Sequence, residues 1–327
     1  MVGLELVIGL VLLLGGGEAL VRGSVAAATR LGVSKLVIGL TLVGFGTSMP
    51  ELVASLRAAL AGSPGVAMGN VVGSNSANVL LILGLAAVIL PIAVDRRALR
   101  RDGAVLLAAS AAMTALVLVG TIGRAAGGAF LGALVVYTVA TYLLERRRAS
   151  PVTDLYAAEA DEFAERPISM GLAIVLTLGG IAGVIIGADL LVGSAIAIAS
   201  AAGVSEAVIG LTLVAVGTSL PELVTSVLAA VRRHGDVAFG NVIGSNIFNL
   251  LGIAGTTALV SPLTVPAQIA RFDVWIMLGA AVALTVFAVT AARISRTEGM
   301  VLLAGYALYL AVQIVPGLRA PLGLAAL

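Results

Sequence analysis

The sequence predicts an all-α membrane protein in which ten transmembrane helices form two inverted five-helix repeats. Three observations support this fold class: an apolar composition, ten apolar stretches, and a long stretch that occurs twice. Of the 327 residues, 60% are hydrophobic and 11% are charged, and the mean hydropathy is +1.14. An average soluble domain has about 25% charged residues. So apolar a chain leaves no room for a soluble catalytic, nucleotide-binding or nucleic-acid-binding domain.

Ten apolar stretches are long enough to cross a bilayer, which takes about 20 helical residues. They lie at 2–29, 33–60, 66–91, 104–122, 127–144, 170–199, 204–231, 237–261, 272–291 and 299–316. The first stretch has Glu5 as its first charge and lacks a basic leader, so we expect a retained helix and not a signal peptide. The expected surroundings are therefore the lipid bilayer.

One stretch of the sequence is present in two copies. A shift of 171 positions aligns residues 32–84 with residues 203–255, and 32 of these 53 positions are identical without a gap. Residues 1–144 and 170–327 then each contain five spans, and residues 145–169 form a linker between them. Because five is odd, the second half must enter the membrane from the opposite face. Inverted repeats of this kind are typical of secondary transporters, which bind their substrates near the midplane between the halves.

The distribution of basic residues predicts the orientation in the membrane. If the N-terminus is outside, fourteen Lys and Arg residues lie in inner connections and four lie in outer ones. Basic residues favour the cytoplasmic side. We therefore expect a protein of the cell membrane with both termini outside and a cytoplasmic linker. The chain has no cysteine, which excludes disulfides and thiolate metal sites.

The repeated stretch contains an acid directly after a proline, within an apolar span. The two copies read Gly-Thr-Ser-Met-Pro-Glu-Leu at 46–52 and Gly-Thr-Ser-Leu-Pro-Glu-Leu at 217–223. Pro50 removes the helical donor for the carbonyl of Gly46, and Glu51 is costly in hydrocarbon. Freed carbonyls at membrane depth need a polar partner. A bound cation would satisfy both the carbonyls and the glutamates.

A second polar motif opens the next span of each half. Asn70, Ser74 and Asn78 stand four residues apart and form one stripe, while Gly69 and Gly73 permit close helix packing. The second copy carries the same groups at Asn241, Ser245 and Asn249, with glycines at 240 and 244. Hydrogen bonding between helices would explain a single stripe. Its repetition favours a binding site.

The candidate ligands are all oxygen atoms. They comprise the carboxylates of Glu51 and Glu222, the hydroxyls of Thr47, Ser48, Ser74, Thr218, Ser219 and Ser245, and the amide oxygens of Asn78 and Asn249. Such hard donors suit Ca²⁺, Na⁺, Mg²⁺ or Mn²⁺ and argue against Zn²⁺ and Cu²⁺. Two carboxylates neutralise one divalent or two monovalent ions. The same pocket could therefore alternate between Ca²⁺ and Na⁺.

These doubled motifs resemble the α-repeats of the cation/Ca²⁺ antiporter superfamily, in particular the prokaryotic Na⁺/Ca²⁺ exchangers. The resemblance implies a secondary antiporter that exchanges Na⁺ for Ca²⁺ by alternating access, in which the first and sixth spans move against the rest. It implies no enzyme activity, no cofactor and no obligate protein partner. It also implies roles for individual residues. Ca²⁺ would be held by Glu51, Glu222 and the carbonyls of Thr47 and Thr218. Na⁺ would be held by the same acids, by Ser48, Ser74, Ser219 and Ser245 and by the carbonyls of Gly44 and Ala215, and Asn78 and Asn249 would lie in the middle of the site.

One position departs from part of that superfamily. Some prokaryotic relatives and the K⁺-dependent branch have an aspartate where this chain has Asn249, so the pocket holds two formal negative charges and K⁺ co-transport is not expected. Other functions remain open from the residues alone. Paired glutamates also suit H⁺/Ca²⁺ exchange, and acids in broken helices also suit a passive cation channel. A glutamate pair could imitate an acid protease dyad, but the Ser, Thr and Asn groups would then have no role.

Overall fold

The computed structural model describes residues 2–31, 44–145, 168–232, 235–315 and 318. In this part of the chain, apolar helices dominate, and only four two-residue strands interrupt the helical pattern. The helices are α1 Val2–Arg30, α2 Gly44–Gly46, α3 Met49–Leu60, α4 Pro64–Ile89, α5 Arg96–Val119, α6 Arg124–Leu144, α7 Met170–Ala202, α8 Glu206–Thr218, α9 Leu220–Val231, α10 Gly235–Val260, α11 Ile269–Thr290 and α12 Arg296–Ile314. The strands are β1 Ile92–Ala93, β2 Thr121–Ile122, β3 Leu263–Thr264 and β4 Arg293–Ile294.

Among the described residues, eight helices are long and apolar enough to cross a membrane. The pair α8 and α9 makes a ninth span if it is counted as one bent helix, with an angle of 49° between its parts. These nine spans coincide with nine of the ten expected stretches, and their ends differ by up to eight residues. The first part of the remaining stretch, residues 33–43, lies outside the described residues, as do residues 146–167 of the linker and His234.

Both proline motifs break their helices, as expected. Helix α2 ends at Gly46 and α3 begins at Met49, with Ser48 between them at φ −90° and ψ 10°. The second motif repeats this geometry, with Ser219 at φ −82° and ψ 10° between α8 and α9. Each proline occupies the first turn of the new helix, where a backbone N–H would have no helical partner. The breaks therefore place each glutamate in the first turn of a short helix.

The short helices α3 and α9 end at opposite faces of the helix bundle. Helix α3 is followed almost directly by the start of α4, whereas α9 packs against residues 84–89 at the far end of α4. In the same way, α3 packs against residues 254–260 at the far end of α10. We refer to the two ends of the bundle as the α3 face and the α9 face.

Contacts between the two halves of the chain are reciprocal. Strand β1 pairs antiparallel with β4, and β2 pairs antiparallel with β3. The Arg124 guanidinium donates to the carbonyl oxygens of Leu259 and Val260 at 3.2 and 3.4 Å, where α10 ends. The Arg296 guanidinium donates to the carbonyl oxygens of Val88 and Ile89 at 3.2 and 3.3 Å, where α4 ends. Each half thus satisfies orphan carbonyl groups at a helix end of the other half.

Helices α1 and α7 pack along a seam of glycines. A methyl group on Gly16 would lie 2.6 Å from the backbone nitrogen of Val184 and 2.9 Å from the carbonyl oxygen of Gly180. At Gly187, it would lie 2.7 Å from the carbonyl oxygen of Gly9. The helix backbones are therefore in direct contact, as small residues permit in membranes. A methyl group on Gly15, the neighbour of Gly16 in the chain, would have no atom of the described residues within 4 Å outside its own helix turn.

We predict that Gly16→Ala destabilises the protein and that Gly15→Ala does not. The added methyl group at position 16 would force the two backbones apart, and overpacking of this kind costs about 1–3 kcal/mol. Thermal unfolding of the two purified variants in detergent would measure the difference. Equal melting temperatures for both variants would contradict the close approach of α1 and α7.

Candidate metal centre

The two acidic side chains of the repeated motif lie at the centre of the fold. Glu51 is 2% exposed and Glu222 is 1% exposed, each in the first turn of a 12-residue helix. The N-terminus of a helix carries a partial positive charge, which stabilises a carboxylate there. This arrangement offsets part of the cost of a carboxylate in an apolar bundle, about 2.5–3.5 kcal/mol on membrane-insertion scales.

Each carboxylate is bound by the serine of the other copy of the motif. The Ser48 hydroxyl donates to Oε1 of Glu222 at 3.0 Å, and the Ser219 hydroxyl donates to Oε1 of Glu51 at 3.0 Å. All four side chains are 2% exposed or less. The hydrogen bonds are symmetric across the two halves of the chain. They join the two helix breaks into one buried site.

Hydroxyl groups of further predicted residues lie beside these acids. Thr47 and Ser245 are neighbours of the Glu222 carboxylate, and Thr218 is a neighbour of Glu51. The Thr218 hydroxyl donates to Oδ1 of Asn70 at 3.2 Å. Five of the six sequence-predicted hydroxyls, those of Thr47, Ser48, Thr218, Ser219 and Ser245, thus lie beside the two glutamates.

Asn70 and Asn241 hold the short helices in place. The Asn70 side-chain amide donates to Oγ of Ser55 at 2.9 Å and to the carbonyl oxygen of Glu51 at 3.2 Å. Asn241 makes the equivalent bonds to Ser226 at 2.9 Å and to the Glu222 carbonyl at 3.3 Å. For these two asparagines, hydrogen bonding between helices is therefore the observed role. They fix the position of each glutamate backbone.

Several buried oxygen atoms of the two motifs have no hydrogen-bond partner among the described residues. They are Oγ1 of Thr47, Oε2 of Glu51, Oδ1 of Asn75, Oδ1 of Asn78, Oε2 of Glu222, Oγ of Ser245 and Oδ1 of Asn249. A buried polar atom without a partner costs about 1–3 kcal/mol. Native proteins keep few of them, so a group of seven needs an explanation. A bound cation, coordinated by the lone pairs of these oxygen atoms, would explain them.

The composition of the site matches that explanation. In the described part of the chain, no three residues of the types His, Cys, Asp and Glu form a cluster suited to a metal ion. The buried groups that meet here are two carboxylates and neutral oxygen atoms. Such a ligand set suits a hard cation and gives a low total negative charge.

The remaining predicted residues have more varied surroundings. The Ser74 hydroxyl approaches Oδ1 of Asn70 at 3.5 Å. The carbonyl oxygen of Ala215 accepts bonds from the Ser219 backbone N–H at 3.1 Å and from the Thr218 hydroxyl at 3.4 Å. Gly44 begins α2, one turn before the break. The carbonyl of Ala215 thus already has protein donors.

Two asparagines that we did not assign from the sequence also belong to this polar centre. The Asn78 side-chain amide donates to Oδ1 of Asn246 at 3.1 Å, and Oδ1 of Asn78 has no donor among the described residues. Asn75, at the position of Asn246 in the other copy, likewise has a buried Oδ1 with no partner in the described part of the chain. Both lie in the Gly-Ser-Asn sequence common to the two copies, at 73–75 and 244–246. Their identity in both copies is the signal that could have identified them.

Comparison with known proteins identifies the family. The family described as sodium/calcium exchanger protein matches residues 3–143 and 172–315. The putative antiporter CaxA of Alkalimonas amylolytica is 35% identical over 302 residues, which cover 91% of this chain and 94% of that protein. The sodium/calcium exchanger MaX1 of Methanosarcina acetivorans is also 35% identical, over 94% of this chain and 97% of that protein.

A solved structure has a similar fold. The sodium-calcium exchanger NCX_Mj, soaked with Na⁺ and Sr²⁺, matches with a TM-score of 0.64 and 33% sequence identity. The match covers 95% of this chain and 98% of that one. Together with the apolar helices and the family match over both halves, these similarities establish that the chain belongs to the sodium/calcium exchanger family of membrane antiporters.

Proposed function

We propose that this protein is an antiporter that exchanges Na⁺ for Ca²⁺ across the cell membrane by alternating access. The observation that carries the proposal is the pair of buried carboxylates. Each is bound by the serine of the other motif, and the oxygen atoms around them include several that have no partner among the described residues. A site of this kind is stable when a cation occupies it. It would be costly when empty and charged.

Charge balance explains how one site can serve both ions. Glu51 and Glu222 together neutralise one Ca²⁺ or two Na⁺ ions. In our assignment, Ca²⁺ binds these two acids and the backbone carbonyls of Thr47 and Thr218. With asparagine at positions 78 and 249, any Na⁺ beyond two would leave the loaded site positive, so exchange of three Na⁺ for one Ca²⁺ would move net charge across the membrane.

The Na⁺ ligands form a wider set than the Ca²⁺ ligands. We assign to Na⁺ the two glutamates, the hydroxyls of Ser48, Ser74, Ser219 and Ser245, and the carbonyls of Gly44 and Ala215, with Asn78 and Asn249 in the middle. A carbonyl oxygen has two lone pairs. The Ala215 carbonyl already accepts two hydrogen bonds, so Na⁺ binding there requires the Thr218 hydroxyl or the Ser219 N–H to give way.

We assign the ten-helix arrangement with two inverted repeats to the whole chain. Residues 1–144 form the first repeat, 145–169 the cytoplasmic linker and 170–327 the second repeat, with both termini outside. The reciprocal strand pairs and arginine contacts support this symmetry. The excess of basic residues in the inner connections supports the orientation.

Exchange of protons for Ca²⁺ is the second candidate, because the two buried carboxylates could bind protons in place of Na⁺. The serine hydroxyls favour Na⁺, since a proton needs no coordination shell. Both candidates use the same two glutamates. They differ in the ion gradient that drives transport.

We predict that Na⁺-loaded proteoliposomes, diluted into Na⁺-free medium, take up radiolabelled Ca²⁺. A matched set of vesicles with only a pH gradient should take up little. Uptake driven by the pH gradient alone would replace Na⁺ with H⁺ as the coupling ion. A Ca²⁺ flux that needs neither gradient and appears as single-channel current would contradict the antiporter assignment.

We predict that Glu51→Gln and Glu222→Gln each abolish Ca²⁺ transport, because either change removes a unit of charge and a ligand from a buried site. Glu5→Gln is the matched control, since Glu5 is an exposed carboxylate in the first turn of α1. It should retain transport. Exchange at wild-type rate in either buried-site variant would refute the central role of the glutamates.

A further inference from the structure

Two asparagines of the polar centre bind each other across the two halves of the chain. The side-chain amide nitrogen of Asn78 on α4 donates to Oδ1 of Asn246 on α10 at 3.1 Å. Each of these residues is 1% exposed, so the bond is shielded from water and lipid. Asn246 itself is not one of the proposed Ca²⁺ or Na⁺ ligands.

This bond fixes which end of the Asn78 amide is available to an ion. The oxygen of a side-chain amide can coordinate a cation, whereas the NH₂ group presents hydrogens that repel one. Because the NH₂ group of Asn78 donates to Asn246, turning the amide over would break the bond. The Asn78 oxygen is buried and has no donor among the described residues. The bond therefore leaves the oxygen, and not the NH₂ group, free to bind an ion.

The position of Asn78 on its helix is consistent with a ligand role. Asn70, Ser74 and Asn78 stand four residues apart and share one face of α4. The Asn70 amide on this face donates to the backbone carbonyl oxygen of Glu51 at 3.2 Å. The Asn78 oxygen thus lies on the helix face that contacts the backbone of a site carboxylate.

The bond is not repeated at the equivalent place. A shift of 171 residues relates Asn78 to Asn249 and Asn75 to Asn246. Oδ1 of Asn75 has no donor in the described part of the chain, so the amide of Asn249 does not donate to it. The Asn75 amide donates instead to the carbonyl oxygen of Val71, one turn earlier on its own helix, at 2.8 Å. Identical residue types therefore orient an amide at one of the two equivalent places.

We propose that Asn246 is a positioning residue that holds the Asn78 amide with its oxygen directed toward bound Na⁺. The inference rests on the proposed function, in which Asn78 belongs to the Na⁺ ligands and not to the Ca²⁺ ligands. Without the acceptor at position 246, the buried NH₂ group of Asn78 would have to find another partner, because a buried donor left unpaired is unfavourable. The amide would then turn and present hydrogens to the ion. Na⁺ binding should weaken, whereas Ca²⁺ binding should not.

The test is binding of radiolabelled Ca²⁺ to the purified protein with Na⁺ as competitor. Asn246→Leu should raise the Na⁺ concentration that displaces half of the Ca²⁺ about tenfold, a common loss when a residue that orients a metal ligand is replaced. Its affinity for Ca²⁺ without Na⁺ should stay close to that of the wild type. Asn246→Asp, which keeps an acceptor, should not lose Na⁺ affinity. If Asn246→Leu does not yield a monodisperse protein, Asn246→Ala takes its place.

Gln313→Leu is the matched control, because it also removes the acceptor of a buried pair of amides. Gln313 on α12 is 3% exposed, and its Oε1 accepts a hydrogen bond from the Gln268 amide at 2.7 Å. This variant should lose thermal stability and keep the Na⁺ competition of the wild type.

A substitution at position 78 separates orientation from a general loss of structure. A carboxylate has an oxygen at each end, so it has no wrong end to present to an ion. In an Asn78→Asp background, Asn246→Leu should therefore weaken Na⁺ binding much less than it does in the wild-type background. A purely structural role of Asn246 would give the same loss in both backgrounds.

Three results would overturn the role of Asn246. One is an unchanged Na⁺ competition in folded Asn246→Leu protein when Asn78→Leu weakens it. Another is an equal loss with asparagine and with aspartate at position 78. The third is an unchanged competition in Asn78→Leu, since an amide that binds no ion needs no orientation. Failure of Na⁺ to displace Ca²⁺ from the wild-type protein is a separate outcome, which would refute the proposed exchange and this inference with it.

Discussion

The structure depends on one electrostatic constraint: two carboxylates lie close together in the buried interior of an apolar helix bundle. Glu51 and Glu222 are almost fully buried. Glu222 accepts a hydrogen bond from Ser48 of the first motif, and Glu51 accepts one from Ser219 of the second. The surrounding features reduce the cost of these two charges. The proline breaks place each acid at a helix N-terminus, and asparagines hold the two short helices against α4 and α10. A bound cation would complete the charge balance.

Close helix packing gives these polar groups their low exposure. Gly69 on α4 lies against the backbone of α8, where a methyl group would be 2.6 Å from the carbonyl oxygen of Ala207. Phe45 stacks on Phe248 with ring centroids 4.6 Å apart, next to the break and next to Asn249. Such contacts exclude water and lipid from the site. They leave a cavity beside α1 and α9 as an approach to Thr47.

The sequence predicted much of the architecture because the strongest signals were local or repeated. Apolar length located the nine described spans, and the proline motifs located the breaks. The repeat also identified most of the polar residues around the acids. It did not predict that Ser48 binds Glu222 and not its own neighbour Glu51, because such pairing depends on how the two halves meet.

Other features had no sequence signal that we could have used. The Arg57 guanidinium on α3 donates to the Asp189 carboxylate on α7, which lies 132 positions away in the other half of the chain. The position that corresponds to Arg57 in the second half is Leu228. π-helical turns begin at Asn78 and Phe248, next to the polar centre, and such turns depend on tertiary packing. The second hydrogen bond to the Ala215 carbonyl likewise follows from the local fold at Ser219. The residue types of the site could therefore be predicted largely from the sequence, whereas the contacts between them depend on the tertiary fold.

The most direct test of the central claim is equilibrium binding of radiolabelled Ca²⁺ to the purified protein at increasing Na⁺ concentrations. If the two carboxylates form one shared site, Ca²⁺ should bind with a stoichiometry of one per chain, and Na⁺ should displace it competitively and completely. Two bound Ca²⁺ ions per chain, or Ca²⁺ that remains bound at saturating Na⁺, would contradict a single site shared by both ions.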